Sequence, residues 1–367
     1  MNRSSFFILA IALTIAALGI LSIYSATYQK EGELWRAIYR RQMLWVLLGV
    51  AGYLIVSNIS YRRLLDWNYF LYTAMLFLLF LVFALGVVRL GAQRWLKLFW
   101  FNFQPSELAK LIIVIFFARY FSRKSADQLG RASGRFGVFG GIIIPFIFVI
   151  IPVALIVEQP DLGSGAIIVA LFFALLYLTD VRMRYILLFF LAGLVTLPFL
   201  WHFMRGYQRD RLMVFLNPNI DPLGAGYTVI QSKIAIGSGG LFGKGWMGGT
   251  QSQLHFLPEA HTDFIFAALS EERGLLGSGA LLVLYFLLVR KGFQIAGNTR
   301  DYFGRFLAYG ISLMLALQVF INIAMNLGLA PVVGLPLPLM SYGGSSVVVT
   351  FIALGILAGI DRRRAVF

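Results

Sequence analysis

The sequence predicts an all-α, polytopic integral membrane protein, and its composition is the first reason. The chain has 367 residues, of which 59% are hydrophobic and 13% are charged. Soluble domains carry about 45–50% apolar and about 25% charged residues. A water-soluble globule with this composition would lack the polar residues needed to cover its surface, so that class of protein is excluded.

The second reason is that the apolar residues form continuous runs. Alternation with a period of two would indicate a transmembrane barrel. Continuous runs of roughly 16–22 residues instead indicate helices, which satisfy their own backbone hydrogen bonds inside a bilayer. The first run is longer than a signal-peptide core and no small-x-small cleavage site follows it, so we predict that it is a span. We predict ten membrane-spanning helices, at residues 6–27, 42–57, 69–88, 105–121, 138–157, 164–179, 185–203, 270–289, 306–327 and 346–360.

The distribution of charge predicts the orientation. The net charge is +15, from 31 Lys and Arg against 16 Asp and Glu. In a soluble protein this excess would suggest a nucleic-acid partner, but in a membrane protein cations gather in short cytoplasmic connections. Most cations of the short connections fall on one side, together with both termini. We therefore predict a multi-pass protein of the cytoplasmic (inner) membrane, with cytoplasmic termini and no nucleic-acid partner.

The carboxylates show the opposite asymmetry. In this orientation, eleven of the sixteen lie outside or near the outer membrane face: Glu31, Glu33, Glu107, Glu158, Asp161, Asp210, Asp221, Glu259, Asp263, Glu271 and Glu272. An ionised carboxylate at the end of a span is unfavourable unless it is paired or hydrated. This placement predicts that any chemistry takes place at the extracytoplasmic face.

Residues 204–262, between the seventh and eighth spans, are predicted to form one large extracytoplasmic loop. Its aromatic and aliphatic residues favour a folded segment over a disordered one. No linker or internal repeat divides the rest, so residues 1–367 are predicted to be a single membrane domain. The chain has no cysteine, which excludes disulfides and thiolate metal sites. The three histidines lack clustered ligand spacing, so no fixed zinc site is predicted.

Part of this loop, GSGGLFGKGWMGG at 237–249, superficially resembles a phosphate-binding loop. Lys244 is followed by Gly245 rather than by Ser or Thr, however, and no strand precedes the segment. A P-loop is therefore excluded at this segment. The glycines instead favour a mobile or tightly turning loop near the substrate.

Three charged residues at span ends are candidates for a site. Glu107 and Lys110 open the fourth span and share a helix face, because they are three residues apart. They either neutralise each other within the membrane or form a wall of a polar cavity. Asp161 either caps the sixth helix or faces a substrate cavity.

Four cations of the long loop are candidates for binding phosphate: Arg209, Arg211, Lys233 and Lys244. Arg209 and Arg211 follow a span closely, which places them at headgroup depth, where guanidinium groups bind phosphate well. The alternative is that these cations are solvated, because long loops are weakly subject to the charge rule.

Asp263 is the sharpest candidate. It precedes an apolar helix at the outer interface, where desolvation can raise the pKa of a carboxyl towards that of a useful base. Alternatively, Thr262 or Asp263 caps the helix. Glu271 and Glu272 would lie roughly 12 Å deeper if that helix is continuous, whereas Gly274 would otherwise mark a break. Spacing alone does not rank Asp263 above Glu259 or Glu272.

These same segments resemble the SEDS family (shape, elongation, division and sporulation). The resemblance covers essentially the whole chain and favours the elongation branch over the division branch. The matching stretches are GAQRWLKL at 91–98, FQPSELAK at 103–110, QPDLGS at 159–164, the segment DPLGAGYTVIQSKIAIGSGGLFGKGWMGGTQSQLHFLPEAHTDFIFA at 221–267, and PLPLMSYGGSS at 336–346.

The resemblance implies a peptidoglycan glycosyltransferase that polymerises lipid II into β-1,4-linked strands during cell elongation. It also implies a class B penicillin-binding protein (a transpeptidase) and other elongation-complex membrane proteins as partners. The family's catalytic aspartate falls on Asp263, and its polar-cavity residues fall on Glu107, Lys110 and Asp161. We expect Asp263 to act as a general base in an inverting displacement, with the loop cations stabilising the undecaprenyl diphosphate leaving group.

This chemistry needs no nucleotide cofactor, because lipid II carries its own leaving group. A divalent cation at the diphosphate is left open. Two alternatives to the enzyme are a transporter that flips lipid II and a non-enzymatic scaffold of the cell-wall elongation complex. The transporter would need a polar path through to the inner face, whereas the predicted charges inside the spans lie towards the outer side.

Overall fold

Long apolar helices dominate the computed structural model of the chain, which describes residues 3–29, 33–89, 92–98, 101–128, 139–179, 181–224 and 226–363. Each of the ten predicted spans overlaps one of them. In chain order they are α1 (Arg3–Thr27), α2 (Glu33–Asn58), α3 (Arg63–Leu85), α4 (Pro105–Gln128), α5 (Ile144–Glu158, after a π-helical turn at Phe139–Ile143), α6 (Leu162–Tyr177), α7 (Met183–Phe203), α11 (Ile265–Asn298), α12 (Tyr302–Asn326) and α13 (Gly344–Arg363).

Six of these helices are long and apolar enough to cross a membrane. They are α1, α3, α5 with its π-helical turn, α11, α12 and α13. The chain is therefore a mostly helical, multi-pass membrane protein, as predicted. The count of ten spans and the orientation stay predictions.

Close approaches at small residues bring the long helices together. A Cβ at Gly310 of α12 would lie 2.5 Å from Val114 Cγ1 of α4, and a Cβ at Gly355 of α13 would lie 2.8 Å from the backbone oxygen of Tyr53 of α2. Such small residues are typical of helix contacts in membranes, where van der Waals packing drives association. The α4–α12 contact matters for function because both helices hold residues of the site.

The predicted third span is wrong at its end. Helix α3 stops at Leu85, and the chain then forms a three-stranded antiparallel sheet in the order β1 (Gly86–Arg89), β2 (Ala92–Leu98) and β3 (Phe101–Phe103). The Gln93 side chain contacts the end of this helix: its Nε2 donates to the backbone oxygens of Val82 and Gly86 at 3.0 Å each. The Val82 oxygen also accepts a hydrogen bond from the Gly86 amide, so the Gln93 side chain adds a second contact that ties β2 to the end of α3.

The long connection 204–262 is folded, as predicted. It contains α8 (Gly206–Leu216), a 3₁₀ turn (Pro218–Ile220), α9 (Tyr227–Ser238) and the short α10 (Thr250–Gln253). Arg209 of α8 donates to backbone oxygens at the end of α7, and α9 packs against α11 and α12. The segment therefore forms a layer over one end of the long helices.

Helix α11 is broken at Gly274, which decides between the two alternatives for Glu271 and Glu272. Gly274 has φ +63° and ψ −161°, a backbone conformation that favours glycine. The glycine-rich segment fills the break: the amides of Lys244 and Gly245 donate to the backbone oxygens of Glu271 and Glu272 at 3.0 and 3.1 Å. The prediction of a tight turn is confirmed, and the segment is tied to α11.

Candidate functional site

Asp263 lies between α10 and α11, and α12 fixes the position of its backbone. The Nδ2 atoms of Asn322 and Asn326 each donate to the Asp263 backbone oxygen at 3.0 Å. Both asparagines are fully buried. Asn326 Oδ1 also accepts a hydrogen bond from the Ala267 amide at 3.2 Å. The start of α11 is thereby held in one register against α12.

The segment before α13 holds the other side of this loop. Ser341 Oγ donates to the Thr262 backbone oxygen at 2.6 Å, and the Tyr342 amide donates to the His261 backbone oxygen at 2.9 Å. The N-cap of α11 is Phe264, which makes no side-chain capping bond. The alternative in which Thr262 or Asp263 caps the helix is therefore wrong, which leaves the Asp263 carboxylate available for chemistry.

The surroundings of Asp263 favour the neutral carboxyl. Burial raises the pKa of Asp263 most, and the negative charges of Glu259 and Asp161 raise it further. The positive charges of Arg94 and Arg211 lower this pKa, but by less. The result is a pKa of about 6 for Asp263. A carboxyl with this pKa is ionised at neutral pH yet binds a proton far more readily than an ordinary aspartate.

Arg94 is a member of the site that sequence reasoning missed. It lies on β2, and one of its terminal nitrogens donates to the Pro160 backbone oxygen. A Cβ at Gly334 would lie 3.6 Å from Asp263 Oδ2 and 3.7 Å from Arg94 Nη1, so the carboxylate and the guanidinium both border the open space above this glycine. The Nε atom of Arg94 is buried and has no hydrogen-bond partner in the described part of the chain.

Arg211 of α8 is the second cation at Asp263. Its guanidinium lies 5.8 Å from the centre of the Tyr207 ring. Its Nη1 is buried with no partner among the described residues, and burial lowers the pKa of Arg211. An apolar groove begins here, lined by Arg211, Val214, Phe215, Val229, Gly328, Ala330, Pro331 and Val332.

Asp161 joins two elements beneath this cluster. It is the N-cap of α6 and accepts a hydrogen bond from the Ser164 amide at 3.2 Å, as one of its two interpretations requires. It also accepts hydrogen bonds from Ser106 Oγ at 2.7 Å and from Gln104 Nε2 at 3.2 Å. Its carboxylate thus holds the starts of α4 and α6 together while adding negative charge near Asp263.

Glu107 and Lys110 form the ion pair that their spacing predicts. Lys110 Nζ lies 2.6 Å from Glu107 Oε1, and both residues are almost wholly buried. A buried pair of this kind keeps two charges inside the protein only because each neutralises the other. The pair lies in the first two turns of α4, next to the Ser106 contact with Asp161.

The other three predicted cations are not among the charges that act on the pKa of Asp263, and each makes another contact. Arg209 donates to the backbone oxygens of Trp201 and His202 at 3.0 Å each, which ties it to the end of α7. Lys233 is exposed and lies against Gly328, at the groove that Arg211 also lines. Lys244 forms an ion pair with Glu271 at 2.8 Å. Of the four loop cations, Arg211 is the one placed at Asp263.

Comparison with known proteins decides the family. The model of the FtsW/RodA/SpoVE family, described as cell cycle proteins, matches residues 4–365. The chain belongs to this family. Peptidoglycan glycosyltransferase MrdB of Escherichia coli K12 is 42% identical over 97% of this chain and 93% of its own length. A probable peptidoglycan glycosyltransferase FtsW of Geobacter sp. M18 is 36% identical over 97% of this chain and 96% of its own length.

Solved structures of the FtsW/RodA/SpoVE family share the fold. A chain from a peptidoglycan synthase complex, studied for how it coordinates polymerization and crosslinking, superposes with a TM-score of 0.80 at 35% identity, covering 97% of both chains. The rod shape determining protein RodA of Thermus thermophilus superposes with a TM-score of 0.70 at 28% identity, covering 97% of this chain and 96% of that one.

The segments that resemble the FtsW/RodA/SpoVE family meet around Asp263 in the structure. Arg94, in the stretch 91–98, contacts Pro160, in the stretch 159–164. The backbone amide of Gln104, in the stretch 103–110, donates to Ser345 Oγ, in the stretch 336–346, at 3.0 Å. The matching stretches therefore build one site from parts distant in sequence. Arg94 lies within the stretch 91–98, and its place in a segment that resembles the family was the signal that could have identified it.

The Lys244–Glu271 pair closes the glycine-rich segment onto α11, and a substitution tests this role. Glu271 also accepts hydrogen bonds from Thr250 Oγ1 and the Gln251 amide, at 3.0 and 2.9 Å. We expect Lys244→Met to lower the free energy of unfolding by about 1–3 kcal/mol, because the buried carboxylate loses its charged partner. Thermal unfolding and limited proteolysis within 239–250 measure this. Lys233→Met, at an exposed lysine, is the matched control, and an equal loss in both variants would contradict the assignment.

Proposed function

We propose that the cluster around Asp263 is the polymerisation site of a peptidoglycan glycosyltransferase acting on lipid II. The glycosyltransferase activity follows from family membership, because the relatives that match the whole chain are named for it. The observation that carries the proposed site is the pairing of one carboxyl of raised pKa with two arginines, each of which holds a buried donor without a partner among the described residues. The active site faces the outside of the cytoplasmic membrane in this proposal.

Asp263 acts as the general base. Its carboxylate takes the proton from the 4-hydroxyl of the acceptor GlcNAc as that oxygen attacks C1 of the donor MurNAc. The bond from C1 to the diphosphate oxygen breaks in the same step, and undecaprenyl diphosphate leaves with the electron pair. A single displacement inverts the configuration, so an α-linked donor gives a β-1,4 bond.

Arg94 and Arg211 stabilise the charge that develops on the diphosphate. A buried N–H group without an acceptor is unfavourable. An anionic oxygen would supply the acceptor that Arg94 Nε and Arg211 Nη1 do not find among the described residues. Charge-assisted hydrogen bonds from guanidinium to phosphate are among the strongest in proteins. Donors already in place need no rearrangement as the negative charge builds up.

We also propose a class B penicillin-binding protein as the partner that cross-links the product. The support is the structural similarity to a chain of a peptidoglycan synthase complex in which polymerization and crosslinking are coordinated. Other membrane proteins of the elongation complex are partners in the same proposal. The similarity spans the long helices and the folded connection alike.

The dependence of the rate on pH tests the base. With purified protein and saturating lipid II, we expect polymerisation to fall on the acid side with an apparent pKa of about 6, because protonated Asp263 accepts no proton. Glu259→Gln removes a charge that raises this pKa, so the acid limb moves to lower pH. Glu158→Gln, at an exposed carboxylate paired with Arg205, leaves the limb in place.

Other outcomes point to other functions. An acid limb that Glu259→Gln leaves unmoved would contradict Asp263 as the titrating group. Movement of lipid II across vesicle membranes without any polymer would favour the transporter. Neither polymer nor movement, in the presence of the penicillin-binding partner, would favour the scaffold.

A further inference from the structure

A cavity lies between α3 and α4, far from Asp263. Arg119, which lines it, follows Glu107 by twelve residues on α4, which places it about 18 Å further along the helix axis. The cavity therefore lies towards the opposite membrane face and takes no part in the proposed polymerisation. Its volume is about 190 Å³, and it is lined by Asn68, Tyr69, Phe116, Arg119, Tyr120 and Arg123.

Two residues that line this cavity each hold a buried polar atom without a partner among the described residues. Asn68 is 1% exposed, and its Nδ2 donates to the Ile115 backbone oxygen at 3.0 Å, but its Oδ1 has no partner in the described ranges. Arg119 donates to the Leu65 backbone oxygen and stacks 4.5 Å from the centre of the Tyr69 ring, but its buried Nε is likewise unsatisfied. A matching ligand offers an acceptor to the guanidinium and a donor to the amide oxygen.

The charges favour an anion. Arg119 and Arg123 lie one turn apart on α4, a spacing at which like charges repel. Arg123 is exposed at the mouth of the cavity. Asp66, exposed on α3, is the acid near Arg119, so one carboxylate faces two guanidinium groups. A negatively charged ligand would balance the remaining positive charge.

The cavity opens onto an apolar stripe of α3. Tyr69, Phe77 and Phe80 are 58%, 60% and 62% exposed, and their spacing of eight and three residues places them on one face of the helix. In a helix that crosses a membrane, exposed aromatic side chains of this kind face the lipid. An acyl chain can lie along the stripe while its headgroup occupies the cavity, which favours a lipid over a free anion.

We propose that this cavity binds the headgroup of an anionic glycerophospholipid that carries a hydroxyl group, of the phosphatidylglycerol class, in the leaflet opposite the Asp263 site. The phosphodiester accepts hydrogen bonds from Arg119 and Arg123, as basic pockets between transmembrane helices do. A headgroup hydroxyl donates to Asn68 Oδ1. One acyl chain lies against the stripe that begins at Tyr69.

Native mass spectrometry of the full chain in detergent tests the proposal. Phosphatidylglycerol and phosphatidylcholine with identical acyl chains are titrated separately. We expect phosphatidylglycerol to bind wild type about tenfold more tightly, and Arg119→Gln and Arg123→Gln each to weaken it about five- to tenfold, as expected for the loss of one charge-assisted hydrogen bond. Arg184→Gln is the matched control. Arg184 is exposed, as Arg123 is, and it lies 4.7 Å from the centre of the Tyr185 ring, much as Arg119 lies near the Tyr69 ring.

Thermal unfolding of each variant shows whether it is folded, and Arg123→Gln keeps the test valid if the loss of the Arg119 contact with Leu65 unfolds the chain. Equal affinity of wild type for the two lipids would overturn the proposal. So would an equal loss of binding in Arg184→Gln. Competition by glycerol phosphate at the concentration of the lipid would overturn the lipid as the source of the phosphate and assign the cavity to a soluble anion.

Discussion

Asp263→Asn is expected to abolish lipid II polymerisation while the protein stays folded. The amide keeps the shape of the side chain but accepts no proton from the acceptor hydroxyl. Removal of a general base lowers a rate by about 10²–10⁴-fold, which would leave no polymer within the time of an ordinary assay. Separation of the glycan products by gel electrophoresis measures the loss.

Although Asp263→Asn loses activity, its stability at neutral to alkaline pH is expected to match or exceed that of wild type. Because the pKa of Asp263 is raised from 3.8 to about 6, the folded protein binds this proton more tightly than the unfolded chain does. The group therefore stabilises the fold at low pH, and this contribution is lost as the pH rises through about 6. At pH 8 the asparagine variant should unfold at a temperature no lower than wild type, and its relative stability should fall as the medium becomes acidic.

Asp210→Asn is the matched control for this pair of measurements. Asp210 is an exposed aspartate on α8, one residue before Arg211, so its loss changes the net charge equally near the site. We expect it to polymerise at the wild-type rate. Polymerisation by Asp263→Asn at that rate would show that another group takes the proton.

Lys110→Met is expected to be the most destabilising of the substitutions considered, by about 3–5 kcal/mol. Methionine fills a similar volume, but it leaves the Glu107 carboxylate buried without its partner. Lys110 is 1% exposed and Glu107 is 2% exposed, so water cannot replace the lost ammonium group without opening the helix packing. Thermal or denaturant unfolding in detergent measures the change.

A double substitution distinguishes the loss of the charge pair from a change in packing at residue 110. Glu107→Gln combined with Lys110→Met removes both charges, and we expect most of the lost stability to return, because neutral groups need no buried counter-charge. Lys97→Met, at an exposed lysine of β2, should leave stability within about 0.5 kcal/mol of wild type. A double variant as unstable as Lys110→Met alone would mean that packing at this position, rather than charge, sets the loss.

Local patterns predicted the parts of the site that local geometry determines. The Glu107–Lys110 pair follows from a spacing of three on a helix, and Asp161 as an N-cap follows from its place before a helical run. The membrane-embedded character followed from composition. Each of these depends on residues that are neighbours in the chain.

Arg94 shows why the rest could not be predicted. Its meeting with Asp263 near Gly334 joins three segments that lie far apart in sequence, and no periodicity reports such a contact. Lys244 shows the reverse: its charge and its place in a glycine-rich segment suggested a phosphate ligand. In the structure, the Lys244 amide instead binds the Glu271 backbone oxygen next to the break at Gly274, and the Lys244 side chain pairs with the Glu271 carboxylate.

Three helices begin at the cluster around Asp263: α4 at Pro105, α6 at Leu162 and α11 at Ile265. Each helix start carries a partial charge of roughly +0.5 from its aligned peptide dipoles. The Asp161 carboxylate already offsets this charge at the start of α6, so the starts of α4 and α11 would supply the positive potential for a diphosphate from backbone amides, which neither titrate nor disappear when a side chain is replaced. If this cluster is the polymerisation site, as proposed, it holds an anion with few cations nearby, and a count of Lys and Arg underestimates the electrostatic field that the substrate meets.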